Sequence, residues 1–86
     1  MPCYLKCTYA DGAYDNEYLV SFAAKEKKNW CFARKKDVIT ELDNKGLVKV
    51  TVHSYGKYTS LVSIIEAYSN TMLDFSVKTE DIMIKQ

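Results

Sequence analysis

At 86 residues the chain is long enough for one hydrophobic core and short for two domains. Its 12 Lys and Arg against 11 Asp and Glu leave it nearly neutral, which excludes a bulk polycation or an acidic tail. Three Gly and one Pro exclude low-complexity and linker-rich architectures, and no apolar run approaches the roughly 18 residues of a membrane helix.

The first residues lack the basic-then-apolar pattern of a secretory leader. Three cysteines, an odd number, fit free thiols in a reducing compartment better than a disulfide framework. The expectation is a cytoplasmic protein with no membrane partner. No repeat, linker or second domain is evident.

In chain order, Cys3 to Tyr9 alternates apolar and polar side chains, which predicts a strand with Cys3, Leu5, Cys7 and Tyr9 on its buried face. Ala10 to Asn16 is turn chemistry, with Asp11-Gly12 at a hairpin tip. Glu17 to Ala23 reads as a second strand, with Tyr18, Val20 and Phe22 on one face. Lys25 to Asn29 is a polar connection, and Trp30 to Ala33 a short edge strand.

Asp37 then reads as the N-cap of a helix carrying Val38, Ile39 and Leu42, with Gly46 at its C-terminal stop. Leu47 to Tyr55 is a strand with Val48, Val50 and Val52 inward and Lys49, Thr51 and His53 outward. Gly56 marks a turn. Leu61, Ile64, Ile65 and Tyr68 recur at helical spacing and predict a second helix over 59–68, against the β-branched Val62, Ile64 and Ile65. Leu73, Phe75 and Val77 alternate as a strand. Ile82 and Ile84 alternate as well, but out of phase with it, so a turn or bulge must intervene at Lys78 to Asp81. The expected order is β-β-β-α-β-α-β. It describes an α+β domain, an antiparallel or mixed sheet with two short helices on one face.

The segment Lys25 to Lys36 stands out. It holds Lys25, Lys27, Lys28, Arg34, Lys35 and Lys36 against one acid, Glu26, with Trp30 and Phe32 between the two clusters. The other 74 residues carry the remaining 6 cations and 10 acids, so the molecule is charge-polarised. Trp30 and Phe32 share one side of their strand, where a pair is more often core than platform. The predicted helix end beside Arg34, Lys35 and Lys36 offers an anion seat, which Asp37 can itself occupy. Tyr55 and Tyr58 flank Lys57 in a second stretch of the same chemistry.

Other candidate chemistry is weaker. Cys3, Cys7, Cys31 and His53 suggest a zinc site, but residues four apart on a strand are separated by roughly 13 Å. No cysteine or orienting carboxylate is placed beside His53, the only histidine, and no glycine-rich phosphate loop exists. No cofactor and no metal are expected. The cluster Asp11, Asp15, Glu17 lacks the oxygen pattern of a calcium loop. With Asp43 it would imitate a polyanion if the four shared a face.

Two functions follow. The first is a non-enzymatic module or inhibitor that binds a partner protein through a Tyr-rich, charge-polarised surface. Compact accessory proteins of phages and mobile elements that act on a host nucleic-acid enzyme have this character. The alternative is a single-stranded nucleic-acid-binding protein using residues 25–36 with Tyr55, Lys57 and Tyr58. Either fits a monomer, or a homodimer joined through an open sheet edge.

Overall fold

The computed structural model of the chain describes residues 1–85. It is all-β, which overturns the α+β expectation. Eight antiparallel strands curl into a half-barrel with the order β3-β2-β1-β5-β6-β7, and β4 and β8 attach beside β5 and β1. The strands are β1 Cys3–Asp11, β2 Glu17–Ala24, β3 Lys27–Arg34, β4 Val38–Thr40, β5 Lys45–Tyr55, β6 Thr59–Ile65, β7 Met72–Lys78 and β8 Ile82–Ile84. Three-residue 3-10 turns at Lys35–Asp37, Leu42–Asn44 and Thr79–Asp81 are the only helical elements among the described residues.

Both predicted helices fail on β-branched side chains. Val38, Ile39 and Thr40 would lose side-chain freedom in a helix, and they pair instead with β5. Asp43 and Asn44 then take left-handed backbone (φ 61° and 60°), which their short polar side chains tolerate, and the chain reverses. Gly46 ends no helix. It lies inside β5, where an added Cβ would come 3.1 Å from the Ile39 carbonyl and 3.3 Å from the Tyr9 ring. Over 59–65 the strand period wins, with Ser60, Val62 and Ile64 buried and Leu61 exposed. The out-of-phase offset before Ile82 is met by the 3-10 turn at Thr79–Asp81.

The pairing also reveals a repeat that the sequence reading missed. A long strand, a hairpin, a 3-10 turn and a short strand occur twice, as β1-β2-β3-β4 and β5-β6-β7-β8. The registers match: Thr8 faces Ser21, which faces Trp30, while Thr51 faces Ser63, which faces Asp74. The short strands are exchanged, so that Val38 of the first half pairs Val48 and Ile82 of the second pairs Leu5. The closing bonds correspond too. Lys25 N–H donates to the Ser76 carbonyl at 3.1 Å, and Ala67 N–H donates to the Phe32 carbonyl at 2.8 Å. Likewise Lys35 N–H reaches the Asn16 carbonyl (3.0 Å) and Thr79 N–H that of Tyr58 (2.9 Å). The matching tripeptides Leu19-Val20-Ser21 and Leu61-Val62-Ser63, and the pairs Asp37-Val38 and Asp81-Ile82, are its sequence trace.

The inner face of the half-barrel is the core. Leu5, Val20, Val48, Val62, Ile64 and Val77 are fully buried, and Phe22 meets Phe75 edge-on across the curl, with centroids 4.8 Å apart. Each such side chain contributes roughly 1.5–3 kcal/mol by leaving water. The central strand β1 has a divided edge. It pairs β5 along Cys3 to Thr8, while its other edge pairs β8 at Cys3 to Leu5 and β2 at Thr8 to Asp11. Between β8 and β2 the sheet forks, and Lys6, Cys7 and Phe22 to Ala24 have no ladder partner on that side.

The β2–β3 hairpin turns on Lys25 and Glu26 alone, both at positive φ (50° and 62°). Asn29 braces it, its amide donating to the Ala24 and Lys27 carbonyls at 3.1 and 3.2 Å. An L-residue held left-handed costs about 1–2 kcal/mol, which glycine avoids. Glu26→Gly is therefore expected to stabilise the fold by about 1 kcal/mol in urea unfolding, and a loss of stability would contradict this turn geometry.

Candidate interaction surface

The structure divides the basic-aromatic stretch. β3 runs from Lys27 to Arg34, roughly 23 Å at the rise of a strand, so the two cation clusters lie at opposite ends of the sheet. Lys25, Lys27 and Lys28 are exposed at the hairpin. Arg34 at the far end is committed, its Nε 2.7 Å from Asp37 Oδ2, and Lys35 Nζ lies 4.8 Å from the centre of the Tyr18 ring. Lys36 is exposed in the 3-10 turn. Only a three-residue 3-10 turn starts there and no α-helix, so the expected anion seat is not formed. Asp37 is instead the partner of Arg34.

Trp30 and Phe32 are not core. Cys31 and Ala33 take the inward positions of β3, and Trp30 stands outside with 62% of its surface exposed. Phe32 packs edge-on against it at 5.8 Å between centroids. The cross-strand neighbours are Ser21 and Thr8 beside Trp30, both small, and Leu19 and Ala10 beside Phe32. Ser21 and Thr8 are too small to cover the indole. The repeat provides an internal control, because the matching positions in the second half are Asp74 and Ser76. The fold tolerates polar side chains at both places, so it does not require the aromatic pair.

At the hairpin end the lysines meet the second predicted stretch. A groove of about 610 Å³ opens at the fork, lined by Lys25, Lys27, Lys28 and Lys78 with the Thr8 and Ser21 side chains. Two smaller grooves of about 310 Å³ share Thr59 and Lys78 as walls; one adds Lys25 and the other Lys57 and Tyr58. Lys78 thus connects Lys25, Lys27 and Lys28 with Lys57 and Tyr58. Sequence reasoning missed it, although pairing β7 with β6 opposite Thr59 fixes its place. Tyr55 and Tyr58 are 61% and 74% exposed. Ser60, Thr79 and Gly56 hold that tip, the Ser60 and Thr79 hydroxyls meeting at 2.6 Å and Thr79 Oγ1 donating to the Gly56 carbonyl at 2.8 Å.

Elsewhere the chemistry is structural. Burial pushes the thiols of Cys7 and Cys31 up to about 12, so both are protonated at neutral pH and lack the thiolate that attacks or binds metal. Among the described residues no group of three or more His, Cys, Asp or Glu side chains converges on a metal position. His53, the extra residue of a bulge in β5, contacts Ser63 with Nε2 2.5 Å from Oγ, and Ser63 in turn donates to Asp74 Oδ1. This inverts a nucleophilic triad. The serine proton is committed to the carboxylate, His53 must then donate to Ser63, and the hydroxyl is 2% exposed. The three side chains clamp β5, β6 and β7 together.

The acids do not form one face. Glu17 is buried, its Oε2 accepting from Ala13 N–H at 3.0 Å, and Asp43 lies in the turn before β5. At the opposite end from the lysine hairpin, Tyr14 stacks on Tyr68, with centroids 6.3 Å apart. Glu66 shapes that turn by accepting from Tyr68 N–H at 2.6 Å and from Ser69 N–H at 3.0 Å. These bonds, Tyr68 foremost, hold its carboxyl below the ordinary value of 4.5.

No helix among the described residues is long and apolar enough to cross a membrane. No protein-family model, curated protein or solved structure matches the chain.

Proposed function

We propose that the chain is a non-enzymatic interaction module whose partner protein seats on the outer face of β2 and β3, with Trp30 at the centre. The observation that carries this reading is exposed Trp30 with half-buried Phe32 packed against it, replaced by Asp74 and Ser76 in the other half of the repeat. Tryptophan is the side chain most often found at the energetic centre of protein interfaces, where truncating it costs about 2 kcal/mol or more. Its indole leaves water at low conformational cost, and a rigid sheet holds it ready. Leu19 extends the face towards the loop ends, where Tyr14 and Tyr68 add aromatic surface. The buried thiols and the enclosed Ser63 support a non-catalytic role.

The test replaces Trp30 with the photoreactive benzoylphenylalanine and irradiates the protein in extract of its source cells. The same group at Lys49, on the outer face of β5, serves as control. One discrete adduct from position 30, absent from position 49 and weakened by Phe32→Ala, is the expected result. Equal adducts from both positions, or none, would reject the face.

A further inference from the structure

We infer that the lysine-lined rim around Lys78 is a second binding site, one that takes the phosphate backbone of a single-stranded nucleic acid. Lys25, Lys27 and Lys28 stand on one bank of the fork, Lys78 forms the wall common to three adjoining grooves, and Lys57 and Tyr58 close the far end. The lysines therefore border a continuous run of grooves. A run of cations is what a flexible polyanion can track, each ammonium meeting a phosphate and releasing its counterions.

Three observations take this beyond a wet lysine turn. Among the described residues the only ion pair is Arg34 with Asp37, so none of the five lysines has a carboxylate within salt-bridge distance. Glu26 and Glu80 are the only acids lining these grooves, leaving an excess of three positive charges on a chain whose net charge is +1. The repeat again acts as control. The register-matched counterpart of Lys78 is Arg34, which is neutralised by Asp37, and the counterpart of Lys28 is Met72. The rim joins lysines of the β2–β3 hairpin with Lys57 and Lys78 of the other half, and the counterpart positions Arg34 and Met72 do not reproduce it, so the fold does not need it.

The aromatic at the end of the run selects the class of polyanion. Tyr58 is 74% exposed, with Lys57 Nζ 5.3 Å from its ring centre. A base stacks on such a ring only when it is free of its duplex. The Thr8 and Ser21 side chains beside the lysines supply hydroxyl donors to phosphate oxygens. The site borders the Trp30 face at Thr8 and Ser21 but is carried by the lysines and Tyr58 and not by the indole, so the variants below leave Trp30 in place and either reading can fail without the other.

The experiment is fluorescence anisotropy with labelled oligothymidylate, the matching duplex and a polyglutamate peptide, at about 25 and 150 mM salt. Wild type is expected to bind the single strand in the micromolar range and to prefer it to the other two probes. The logarithm of affinity should fall with the logarithm of salt by about 0.7 per phosphate contacted. Lys25→Glu with Lys78→Glu should weaken binding at least about tenfold and flatten that slope by about 1.4. Tyr58→Ala should weaken it about fivefold or more without changing the slope. Arg34→Glu with Lys35→Glu, the same charge change at the opposite end, should have a clearly smaller effect. Circular dichroism melting checks that each variant folds, and Lys57→Glu at the exposed tip replaces any that does not. Absence of binding at low salt would overturn the inference, as would equal loss from changes at either end. Tighter binding of polyglutamate or duplex would overturn it as well.

Discussion

Leu5→Ala is expected to remove about 3–5 kcal/mol of stability, a large part of the roughly 4–13 kcal/mol available to a domain of this length. Leu5 has no exposed surface, and it lies where β1 pairs Val48 of β5 on one side and Ile82 of β8 on the other. Truncation would leave a cavity under the junction of the two exchanged halves, and backbones laddered on both edges cannot move in to fill it. The loss therefore combines the transfer of the missing methyl groups with an unrelaxed void. Leu5→Met conserves volume and should cost less than about 1.5 kcal/mol. Urea unfolding followed by the fluorescence of Trp30 reads both variants. A cost for Leu5→Ala below about 1 kcal/mol would mean that the core does not centre on the β1–β5 pair.

The same junction explains what could be read from the chain beforehand. Strands with one buried and one wet face announce themselves, as β1, β2 and β5 did through Leu5 and Cys7, Val20 and Phe22, Val48 and Val50. Where both faces are covered the alternation fades. On β6 the outward Ser63 is enclosed by its bonds to His53 and Asp74, and apolar residues fall on both sides, so the pattern imitates a helix. The segment 38–40 is too short for any period to show, and only its pairing to β5 makes it a strand. For the candidate surfaces, residue type was informative and direction was not. Lysines and aromatics could be picked out, but which way Trp30 points depends on Cys31 being the inward residue of β3, a question of register. Lys78 is a single lysine with no local signature. Its importance arises because a long-range turn contact, Lys25 to Ser76, draws the β2–β3 hairpin beside β7.

The buried thiols lead to the second large effect, a loss of stability in alkali. Cys7 and Cys31 both have their pKa raised from 9.0 to about 12, chiefly by burial, with the charge of Glu41 adding at Cys7 and those of Glu66 and Cys7 at Cys31. A raised acid keeps its proton in the fold after the unfolded chain has released it. Stability from these thiols is therefore complete below pH 9 and declines as pH rises from there towards 12, by up to about 1.4 kcal/mol per pH unit for each thiol. Near pH 10 the two together should cost about 3 kcal/mol, comparable to a core truncation. Tyrosine and lysine side chains titrate in the same range, so the comparison is with Cys7→Ala plus Cys31→Ala, in which those groups are retained. The double variant starts less stable because of its cavities, yet its unfolding free energy should fall more slowly between about pH 8 and 10. The two profiles should converge as pH rises. Parallel profiles would show that the thiols ionise as readily in the fold as in the unfolded chain, and that Cys7 and Cys31 are open to solvent and to chemistry.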